Sequence, residues 1–432
     1  MVNKLNHFSD KPNARTNDKN TVSRKMLLGD TKTILPGLPS DSVHSIVTDP
    51  PYGLSDHKPV DVAKCLMAWS QGKEYHPKKR GLFGHTWDAW TPGPEVWREC
   101  LRVLKPGGFL LCFAGTRSMD LMSIALRLAG FELRDAIGMA QDSAPLMAWC
   151  YAEGFPKSPD LGNAIHKAAV NGRLVGVKNP TSLAKQWEGW STSLKPAWEP
   201  IIVARKPLNG SLAENIVTHG VGALNIDGCR VPASGESFSR PALYTGEHEG
   251  WNRPWKSDQS ALKARQIRKN ISAQKAETLG RWPANVLHDG SDAVQNQLSS
   301  SKDGTNVSRF FYAAKANSRD RDEGLDDFYW RRDASAPLGA TRITKEEWAT
   351  LPAAQRCQGN IHGSVKPTTL MRYLVRLVTP QGGVCLDAFA GSGSTGKAAA
   401  FEGVGFIGID NLQDCHDIAI ARIRHAELTL KI

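Results

Sequence analysis

The sequence predicts an α/β protein in which a doubly wound, mostly parallel sheet is built from two separated parts of the chain. Over residues 25–140, short apolar runs such as Val43–Thr48 alternate with segments of helical periodicity. The same pattern returns after His362, whereas residues 151–359 are rich in glycine, proline, serine, tryptophan and basic residues and show little periodicity. We expect the two α/β segments to share one sheet, because the second is too short to enclose a core alone.

Individual elements follow from local signals. Pro94 at a first helical position, with apolar residues at helical spacing after it, predicts a helix that is ended by Gly107 and Gly108 and followed by a buried strand. In the second segment we expect a helix over residues 367–379, a strand ending at Asp387, a strand over 404–410 and a helix over 413–430. Inside the irregular region, a strand is predicted at residues 201–204.

These signals divide the chain into four parts. We expect a disordered tail over residues 1–24, half of an α/β domain over 25–150, an inserted region over 151–359 that contributes a sheet strand near 200–205, and the second half of the α/β domain over 360–432. A chain of 432 residues exceeds the usual size of one compact core, which agrees with an inserted second unit.

Composition favours a polyanionic partner inside a cell. The formal net charge is +11, which suits nucleic acid, although a basic soluble protein with no such partner has the same property. The eight cysteines include no Cys-x-x-Cys pair, which indicates buried thiols in a reducing compartment rather than zinc ligands. We find no apolar stretch long enough to cross a bilayer and no signal-peptide core, and therefore expect no membrane association.

The segment VTDPPYGLS (residues 47–55) places an acid, two prolines and an aromatic residue directly after a predicted strand. Each proline fixes its own φ at about −65° and pushes the preceding residue toward extended geometry. The result is a stiff tetrapeptide that presents the carboxylate of Asp49 and the ring of Tyr52 beyond the strand end.

A glycine-rich loop follows the strand that is predicted to end at Asp387. Gly391, Gly393 and Gly396 fall in a Gly-x-Gly-x-x-Gly pattern before a predicted helix, which lets the backbone approach a ligand at the helix N-terminus. Asp410 ends the next strand, where a carboxylate accepts hydrogen bonds from a ribose. The loop alone permits a nicotinamide or flavin dinucleotide, or only a tight turn. However, the carboxylate of Asp387 would repel a pyrophosphate and suits an ammonium or sulfonium cation.

Together, DPPY (residues 49–52) and FAGSG (residues 389–393) resemble the motifs of amino-methyltransferases that use S-adenosylmethionine to modify exocyclic amines of DNA bases. The order of tetrapeptide, basic region and glycine loop is similar to that of the β-group of DNA adenine-N6 and cytosine-N4 methyltransferases. LKPAWEPIIVARKPL (residues 194–208) and RWPANVLHDG (residues 281–290) resemble stretches of phage and prophage DNA methylases. In HGSVKP (residues 362–367), Gly363 replaces the proline that is usual after the histidine.

The resemblance implies a seven-stranded methyltransferase sheet in permuted order. Residues 25–150 would be the catalytic half, 360–432 the cofactor-binding half, and 151–359 the target-recognition insert. It further implies S-adenosylmethionine as cofactor and double-stranded DNA as partner. The expected location is the cytoplasm of a bacterium or of a phage-infected host, and the expected setting is a phage or a restriction–modification system. Homodimerisation is left open.

The resemblance also assigns site residues. The expected catalytic residues are Asp49, Pro50, Pro51 and Tyr52. The expected cofactor-binding residues are Asp30 in LLGD, Lys366 in HGSVKP, Asp387, Phe389, Gly391, Gly393 and Asp410. The expected DNA-binding residues are Arg253, Lys256, Arg265 and Arg268, where basic residues are interleaved with tryptophans.

The chemistry explains why these residue types are needed. The exocyclic nitrogen of adenine is a poor nucleophile, because its lone pair is delocalised into the ring. The Asp49 carboxylate and the Pro50 carbonyl can each accept one amino hydrogen, which localises the lone pair and stabilises the positive charge that grows on nitrogen. The prolines hold both acceptors in one geometry, and Tyr52 would stack on a base extruded from the duplex.

Alternatives remain at this stage. Asp30 and Asp410 are also suitable as helix caps, Lys366 as a loop residue, and the basic and tryptophan residues of the insert as core and solvated surface. The aspartate form of the tetrapeptide favours adenine N6 over cytosine N4. Methylation of RNA or of a protein amide, and a catalytically inert DNA-binding relative, are the other candidate functions.

Overall fold

The computed structural model of the protein describes residues 22–77, 79–81, 88–135, 146–150, 160–174, 179–192, 198–231, 280–288, 311–313 and 315–430, with scattered positions between 260 and 279. The strands are β1 (Arg24–Leu28), β2 (Val43–Thr48), β3 (Leu104–Phe113), β4 (Glu132–Asp135), β5 (Leu146–Cys150), β6 (Trp198–Arg205), β7 (Val286–His288), β8 (Phe311–Tyr312), β9 (Tyr329–Arg332), β10 (Ala340–Ile343), β11 (Arg356–Gln358), β12 (Val384–Asp387) and β13 (Gly405–Asp410). The helices are α1 (Thr31–Ile34), α2 (Pro59–Ser70), α3 (Pro94–Val103), α4 (Met119–Ala129), α5 (Leu161–Val170), α6 (Pro180–Gln186), α7 (Leu212–His219), α8 (Ser318–Asp322), α9 (Lys345–Thr350), α10 (Thr368–Val378), α11 (Ser394–Glu402) and α12 (Gln413–Thr429). The predicted tail over residues 1–24 lies almost entirely outside the described residues.

One mixed sheet holds both ends of the chain together. Its strand order is β1-β13-β12-β2-β3-β6-β5-β7-β8, and β4 pairs with β6 beside β5. β12 lies between β13 and β2 and runs parallel to both, with Leu386 opposite Ile46. The two α/β segments therefore share one sheet, as the sequence predicts, and the predicted α/β class is confirmed.

The described sheet has more strands than the predicted seven. β4 and β5 pair antiparallel with successive parts of β6, so together they occupy one position in the sheet. β7 and β8 extend the same edge beyond β5 by parallel pairing. The region predicted as an insert thus contributes β6, β7 and β8 to the sheet, of which the sequence predicted only β6.

The helix predicted to run up to Gly107 and Gly108 ends earlier. α3 ends at Val103 because Leu104 adopts an extended conformation and pairs with Val43 of β2. Pro106 adds to this effect, since a proline disfavours helical geometry in the residue before it. Gly107, with a φ of +78°, lies inside β3 where the register against β2 shifts. The prediction that these glycines end the helix is wrong.

Apolar side chains cover both faces of the sheet, as expected for parallel strands. On one face, Trp97 of α3 and Leu126 of α4 pack against the sheet. On the other, Tyr373 and Leu374 of α10 pack with Phe406 of β13. All five side chains are buried, so the strand tips that carry polar groups rest on a rigid support.

A second, three-stranded antiparallel sheet in the order β10-β9-β11 packs on the outer side of α12. Trp330 of β9 is completely buried there, contacts Ile418, and donates its indole N–H to the carbonyl of Gly359 at 2.9 Å. The sequence did not predict this sheet. Among the helices that the structure describes, none combines the length and the apolar composition needed to cross a membrane.

Candidate active site

The carboxyl ends of β2 and β12 are joined by hydrogen bonds to one carboxylate. Thr48, the last residue of β2, donates from Oγ1 to Asp387 Oδ1 at 2.7 Å, and Thr395 of α11 donates to Asp387 Oδ2 at 2.5 Å. The backbone N–H of Phe389 donates to Asp387 Oδ1 at 3.1 Å. The tetrapeptide and the glycine loop therefore begin side by side, although they are distant in sequence.

Asp387 is only 2% exposed, and burial raises its pKa to about 6 in spite of the three donors. We expected its carboxylate to face a cation of the cofactor. In the structure the carboxylate instead links two strands and the glycine loop, and its contact with a cofactor stays a prediction.

The tetrapeptide at residues 49–52 is held from both sides. The backbone N–H of Tyr52 donates to Asp88 Oδ1 at 3.2 Å, and the Ser118 hydroxyl donates to the Tyr52 carbonyl. The Tyr52 hydroxyl donates to Asp49 Oδ1 at 2.7 Å. Burial, together with the nearby Asp49 carboxylate, raises the pKa of Tyr52 well above its usual value, so this hydroxyl stays protonated. Pro50 is buried, whereas Asp49 and Pro51 are half-buried.

Lys366 contacts the Asp49 carboxylate. Its ammonium nitrogen lies 2.8 Å from Asp49 Oδ2, 3.2 Å from Glu199 Oε2 and 3.2 Å from the Tyr52 hydroxyl. Lys366 is 6% exposed. Burial disfavours its charged form, but the carboxylates of Asp49 and Glu199 outweigh burial and raise the pKa of Lys366. We expected Lys366 at the methionine end of the cofactor, and that role stays a prediction.

Glu199 was missed by the sequence-based site prediction. It lies near the start of β6, which runs antiparallel to β3, so this end of β6 reaches the edge where the parallel strands end. A charged residue at the head of a buried apolar strand was the available signal, since residues 200–205 are all buried.

Carboxylate hydrogen bonds shape the glycine loop. Gly391 N donates to Asp410 Oδ2 at 2.9 Å, and Leu412 N donates to Asp410 Oδ1 at 3.0 Å. Gly391 and Gly393 have φ values of +51° and +76°, a region that favours glycine. Burial raises the pKa of Asp410. Asp410 therefore holds the loop and also the residue before α12.

Asp30 and Phe389 lie beside this loop. Asp30 is the N-cap of α1 and accepts from Lys32 N at 2.8 Å, which confirms the capping alternative. It follows directly on Gly29, whose N–H donates to the Asp410 carbonyl at 2.9 Å, so the exposed Asp30 carboxylate lies at the tip next to β13. Phe389 is half-buried, with its ring 6.1 Å from that of Trp97.

The ring of His362 covers Gly391. A Cβ built on Gly391 would lie 3.2 Å from His362 Nε2, which is a tight contact. His362 Nδ1 accepts from Ser364 N at 3.3 Å. Burial lowers the pKa of His362 to about 4, so the ring is neutral near pH 7. The sequence indicated this segment but did not identify His362 as a site residue.

Two buried cations support the loop from behind. Arg422 of α12 donates from Nη1 to the Ser392 carbonyl at 2.6 Å, and from Nη2 to the Asp320 carbonyl at 3.0 Å. Lys397 of α11 lies 2.8 Å from Asp320 Oδ1 and 2.9 Å from Glu323 Oε2. The loop is therefore fixed to α8 and the residue that follows it.

The four residues predicted to bind DNA, Arg253, Lys256, Arg265 and Arg268, lie outside the described residues. Described residues that precede and follow them in the sequence form a surface cavity that is lined in part by Arg230, Lys275 and Trp282. The Arg230 guanidinium lies 5.5 Å from the Trp282 ring centre, and Asp227 pairs with both Arg230 and Lys275. Basic and aromatic side chains are therefore neighbours at this cavity, and the Asp227 carboxylate pairs with both of the basic groups. Among the described residues, no cluster of His, Cys, Asp or Glu side chains is suited to hold a metal ion.

Residues 43–421 match the family model for DNA methylases of the N6 and N4 type, and the chain belongs to that family. The family uses S-adenosylmethionine, the cofactor that the sequence predicts. The predicted resemblance to amino-methyltransferases is confirmed.

The individual proteins to which the chain is similar share between a quarter and a third of the aligned residues, over only part of their length. The chain is 26% identical over 216 residues to the type II methyltransferase M.HindIII of Haemophilus influenzae, covering 44% of this chain and 60% of that protein. It is 31% identical over 90 residues to M.BglI of Bacillus subtilis, covering 19% and 25%. The matches thus span less than two thirds of either relative.

Among solved structures, the chain is similar to TTHA0409 of Thermus thermophilus, described as a DNA modification methylase. The identity is 15%, the TM-score is 0.38, and the match covers 93% of this chain and 96% of that one. The PvuII DNA methyltransferase, described as cytosine-N4-specific, has 12% identity, a TM-score of 0.43 and coverage of 93% and 86%.

Titration of Asp387 should lower stability as pH rises. A carboxyl group whose pKa is higher in the folded than in the unfolded chain stabilises the fold at low pH, and this contribution is lost as pH rises through about 6. The loss between pH 4 and pH 7 should be at most about 3 kcal/mol, since one pKa unit corresponds to about 1.36 kcal/mol.

Urea denaturation of the wild-type protein and Asp387→Asn across this pH range measures the effect as a difference in the free energy of unfolding. The exposed Asp56→Asn is the control and should show no such trend. If the difference in the free energy of unfolding between the wild-type protein and Asp387→Asn does not change with pH, the raised pKa of Asp387 is contradicted.

Gly391→Ala should weaken cofactor binding because the new methyl group would push on the His362 ring. The matched control is Gly382→Ala, since Gly382 also has a positive φ, +72°, but has open space at the Cβ position. Both variants carry a similar backbone strain of about 1 kcal/mol. Calorimetry should show S-adenosylmethionine binding weakened about tenfold or more only for Gly391→Ala, a loss of about 1.4 kcal/mol. Equal affinities for the two variants would count against the loop assignment.

Proposed function

We propose that the protein is a DNA methyltransferase that transfers a methyl group from S-adenosylmethionine to the exocyclic amine of a base in duplex DNA, with adenine N6 as the favoured target. The single observation that carries this proposal is the adjacency of two strand tips. The Asp49–Pro50 corner follows β2, the glycine loop follows β12, and the Thr48–Asp387 hydrogen bond joins them.

The residues at the loop fit S-adenosylmethionine. Asp410 and Asp30 place carboxylates at neighbouring strand tips, where they can accept hydrogen bonds from ribose hydroxyls and an adenine amine. Gly391 leaves room that a Cβ would fill against His362. The surrounding acids suit a cationic sulfonium ligand and disfavour the pyrophosphate of a dinucleotide. Phe389 and Gly393 belong to the same loop and are part of this proposed site.

When bound, S-adenosylmethionine supplies a methyl group on a positively charged sulfur, which makes the carbon electrophilic. Asp49 accepts one hydrogen of the target amine, and the carbonyl of Pro50 accepts the other. The lone pair on nitrogen is thereby directed at the methyl carbon, and the carboxylate stabilises the positive charge on nitrogen. Formation of the N–C bond would leave the C–S electron pair on sulfur, and Asp49 or water would take the proton that the amine then releases. Pro51 restricts the backbone that carries both acceptors.

Duplex DNA is the proposed substrate because the net charge of +11 favours a polyanion and the predicted insert combines basic and aromatic residues. A base must leave the duplex to reach Asp49, and the ring of Tyr52 would stack on it. Residues 151–359 are proposed as the target-recognition region. A phage or restriction–modification setting rests on the resemblance alone.

The adenine assignment rests on the aspartate in the tetrapeptide. Cytosine N4 is the second candidate, because the family includes both targets. Transfer to a protein amide is disfavoured by the long basic insert and by aspartate, rather than asparagine, at position 49. Transfer of a labelled methyl group to duplex DNA but not to RNA would distinguish the proposed activity from RNA methylation. A catalytically inert relative is disfavoured because the acceptor Asp49 and the glycine loop are both present.

Asp49→Ala should abolish methyl transfer, lowering the rate about 10³-fold or more, because the amine loses its charged acceptor. Affinity for S-adenosylmethionine should change little. Transfer of a labelled methyl group to duplex DNA measures the rate, and mass spectrometry of the digested DNA identifies the product as N6-methyladenine or N4-methylcytosine. The exposed Asp56→Ala is the matched control and should retain full activity. Near-normal transfer by Asp49→Ala would rule out the acceptor role.

Replacing both Arg265 and Arg268 with alanine should weaken duplex binding and reduce its salt dependence, by about 0.9 in the log–log slope for each lost phosphate contact. The matched control removes the same charge elsewhere, at the exposed Arg319 and Arg424. Fluorescence anisotropy at several salt concentrations measures both quantities. An unchanged slope in the first variant would show that this segment is not the DNA-facing surface.

A further inference from the structure

Three side chains from different parts of the chain face the Asp49 carboxylate. Tyr52 belongs to the same tetrapeptide, Glu199 to β6, and Lys366 to the segment before α10. Lys366 Nζ lies 2.8 Å from Asp49 Oδ2 and 3.2 Å from Glu199 Oε2, while the Tyr52 hydroxyl lies 2.7 Å from Asp49 Oδ1. Each oxygen of the proposed catalytic carboxylate therefore has its own partner.

The charges in this cluster are two carboxylates and one ammonium. Because both carboxylates lie within 3.2 Å of the same nitrogen, they also lie close to each other. The side chains of Lys366, Asp49 and Glu199 are 7%, 19% and 22% exposed, so solvent screens them only partly. Without the ammonium, the two carboxylates would repel, and one of them would bind a proton more readily.

We propose that Lys366 and Glu199 form a positioning pair for Asp49. Lys366 holds Asp49 Oδ2, and Glu199 holds Lys366 in place and offsets its charge. The inference rests on the proposed function and assigns Lys366 to the acceptor rather than to the cofactor.

The partial neutralisation of the Lys366 charge by Glu199 matters because Asp49 is the proposed acceptor of a hydrogen bond from the target amine. A full positive charge beside Asp49 would weaken its attraction for the amine and would oppose the positive charge that grows on the target nitrogen. A second carboxylate in contact with the same ammonium reduces that effect. Lys366 can then orient the acceptor without cancelling it.

Glu199 also offers the Tyr52 hydroxyl a second acceptor. The hydroxyl donates to Asp49 Oδ1 and lies 3.5 Å from Glu199 Oε2. An incoming amine needs Asp49 Oδ1, because Oδ2 is held by Lys366. A small rotation of the hydroxyl toward Glu199 releases Oδ1 and leaves the Tyr52 proton with an acceptor.

Other titratable groups that act on the cluster remain neutral or are held elsewhere. Burial raises the pKa of Cys112 well above its usual value, and burial lowers the pKa of His362 to about 4, so both are uncharged near pH 7. Asp387, whose pKa burial raises to about 6, is bound by Thr48 and Thr395. Among the described residues, Lys366 is thus the charged group in contact with Asp49, and Glu199 is in contact with Lys366.

The test compares Lys366→Met, Glu199→Gln and the double variant in the full-length protein, by S-adenosylmethionine affinity and by single-turnover transfer to duplex DNA from pH 6 to pH 9. Lys366→Met should lower the rate at neutral pH about 10²-fold, and its rate should begin to fall about one pH unit higher than in the wild-type protein. Its cofactor affinity should stay within about threefold of wild type, less than about 0.7 kcal/mol.

Glu199→Gln should lower the rate without moving the acid limb of the pH profile upward. The double variant should return the acid limb toward the wild-type position, because only one carboxylate remains. Lys366→Arg keeps the charge and should keep the acid limb in place, which provides a reading should Lys366→Met fail to fold. Lys206→Met, which breaks an ion pair with Asp41 elsewhere, is the control and should match wild type.

Two results would overturn the inference. One is a Lys366→Met variant whose cofactor affinity falls more than about tenfold while its pH profile is unchanged, since Lys366 would then serve the cofactor. The other is a double variant that keeps the full shift of Lys366→Met. A wild-type protein that transfers no methyl group to DNA would contradict the proposed function itself, which is a distinguishable outcome.

Discussion

The buried carboxylate of Asp387 is the interaction on which the site depends. It accepts hydrogen bonds from Thr48 at the end of β2 and from Thr395 at the start of α11. Because a buried acid without donors is costly, this arrangement favours one relative position of the two strand ends. The tetrapeptide at residues 49–52 and the glycine loop keep their separation because each begins within two residues of the Thr48–Asp387 hydrogen bond.

Charge is distributed around the site in neighbouring clusters. Behind the glycine loop, the buried Lys397 pairs with the Asp320 carboxylate of α8, and the buried Arg422 donates to the Asp320 carbonyl. Beside the tetrapeptide, the Lys366 ammonium pairs with the carboxylates of both Asp49 and Glu199. In each cluster a buried cation has acidic partners, which is the condition under which buried charge is tolerated. The polar groups that face the cleft are thus oriented by their neighbours before any ligand binds.

Much of the fold was predictable from sequence, because β2, β3, β6, β12 and β13 are apolar runs with clear boundaries. β7–β11 were not, since they have two to four residues each and depend on pairing and on the burial of Trp330 against α12. Strand-tip residues such as Asp49 could be predicted because parallel strands end at one edge of a sheet. For Glu199 the sequence offered only a charged residue before an apolar run, because its place at the site depends on β6 entering antiparallel from the region predicted as an insert.

The sequence separation of Thr48 and Asp387, which are 339 positions apart, has a consequence for biosynthesis. Contacts between such distant residues form late and slow folding, since the intervening chain must first be closed into a loop. A ribosome-bound chain that has emerged only as far as β6 contains β3, one partner strand of β2, but lacks the other, β12, and the glycine loop that follows it. The tetrapeptide and the glycine loop would therefore come together only after most of the chain has been made, once β12 inserts beside β2.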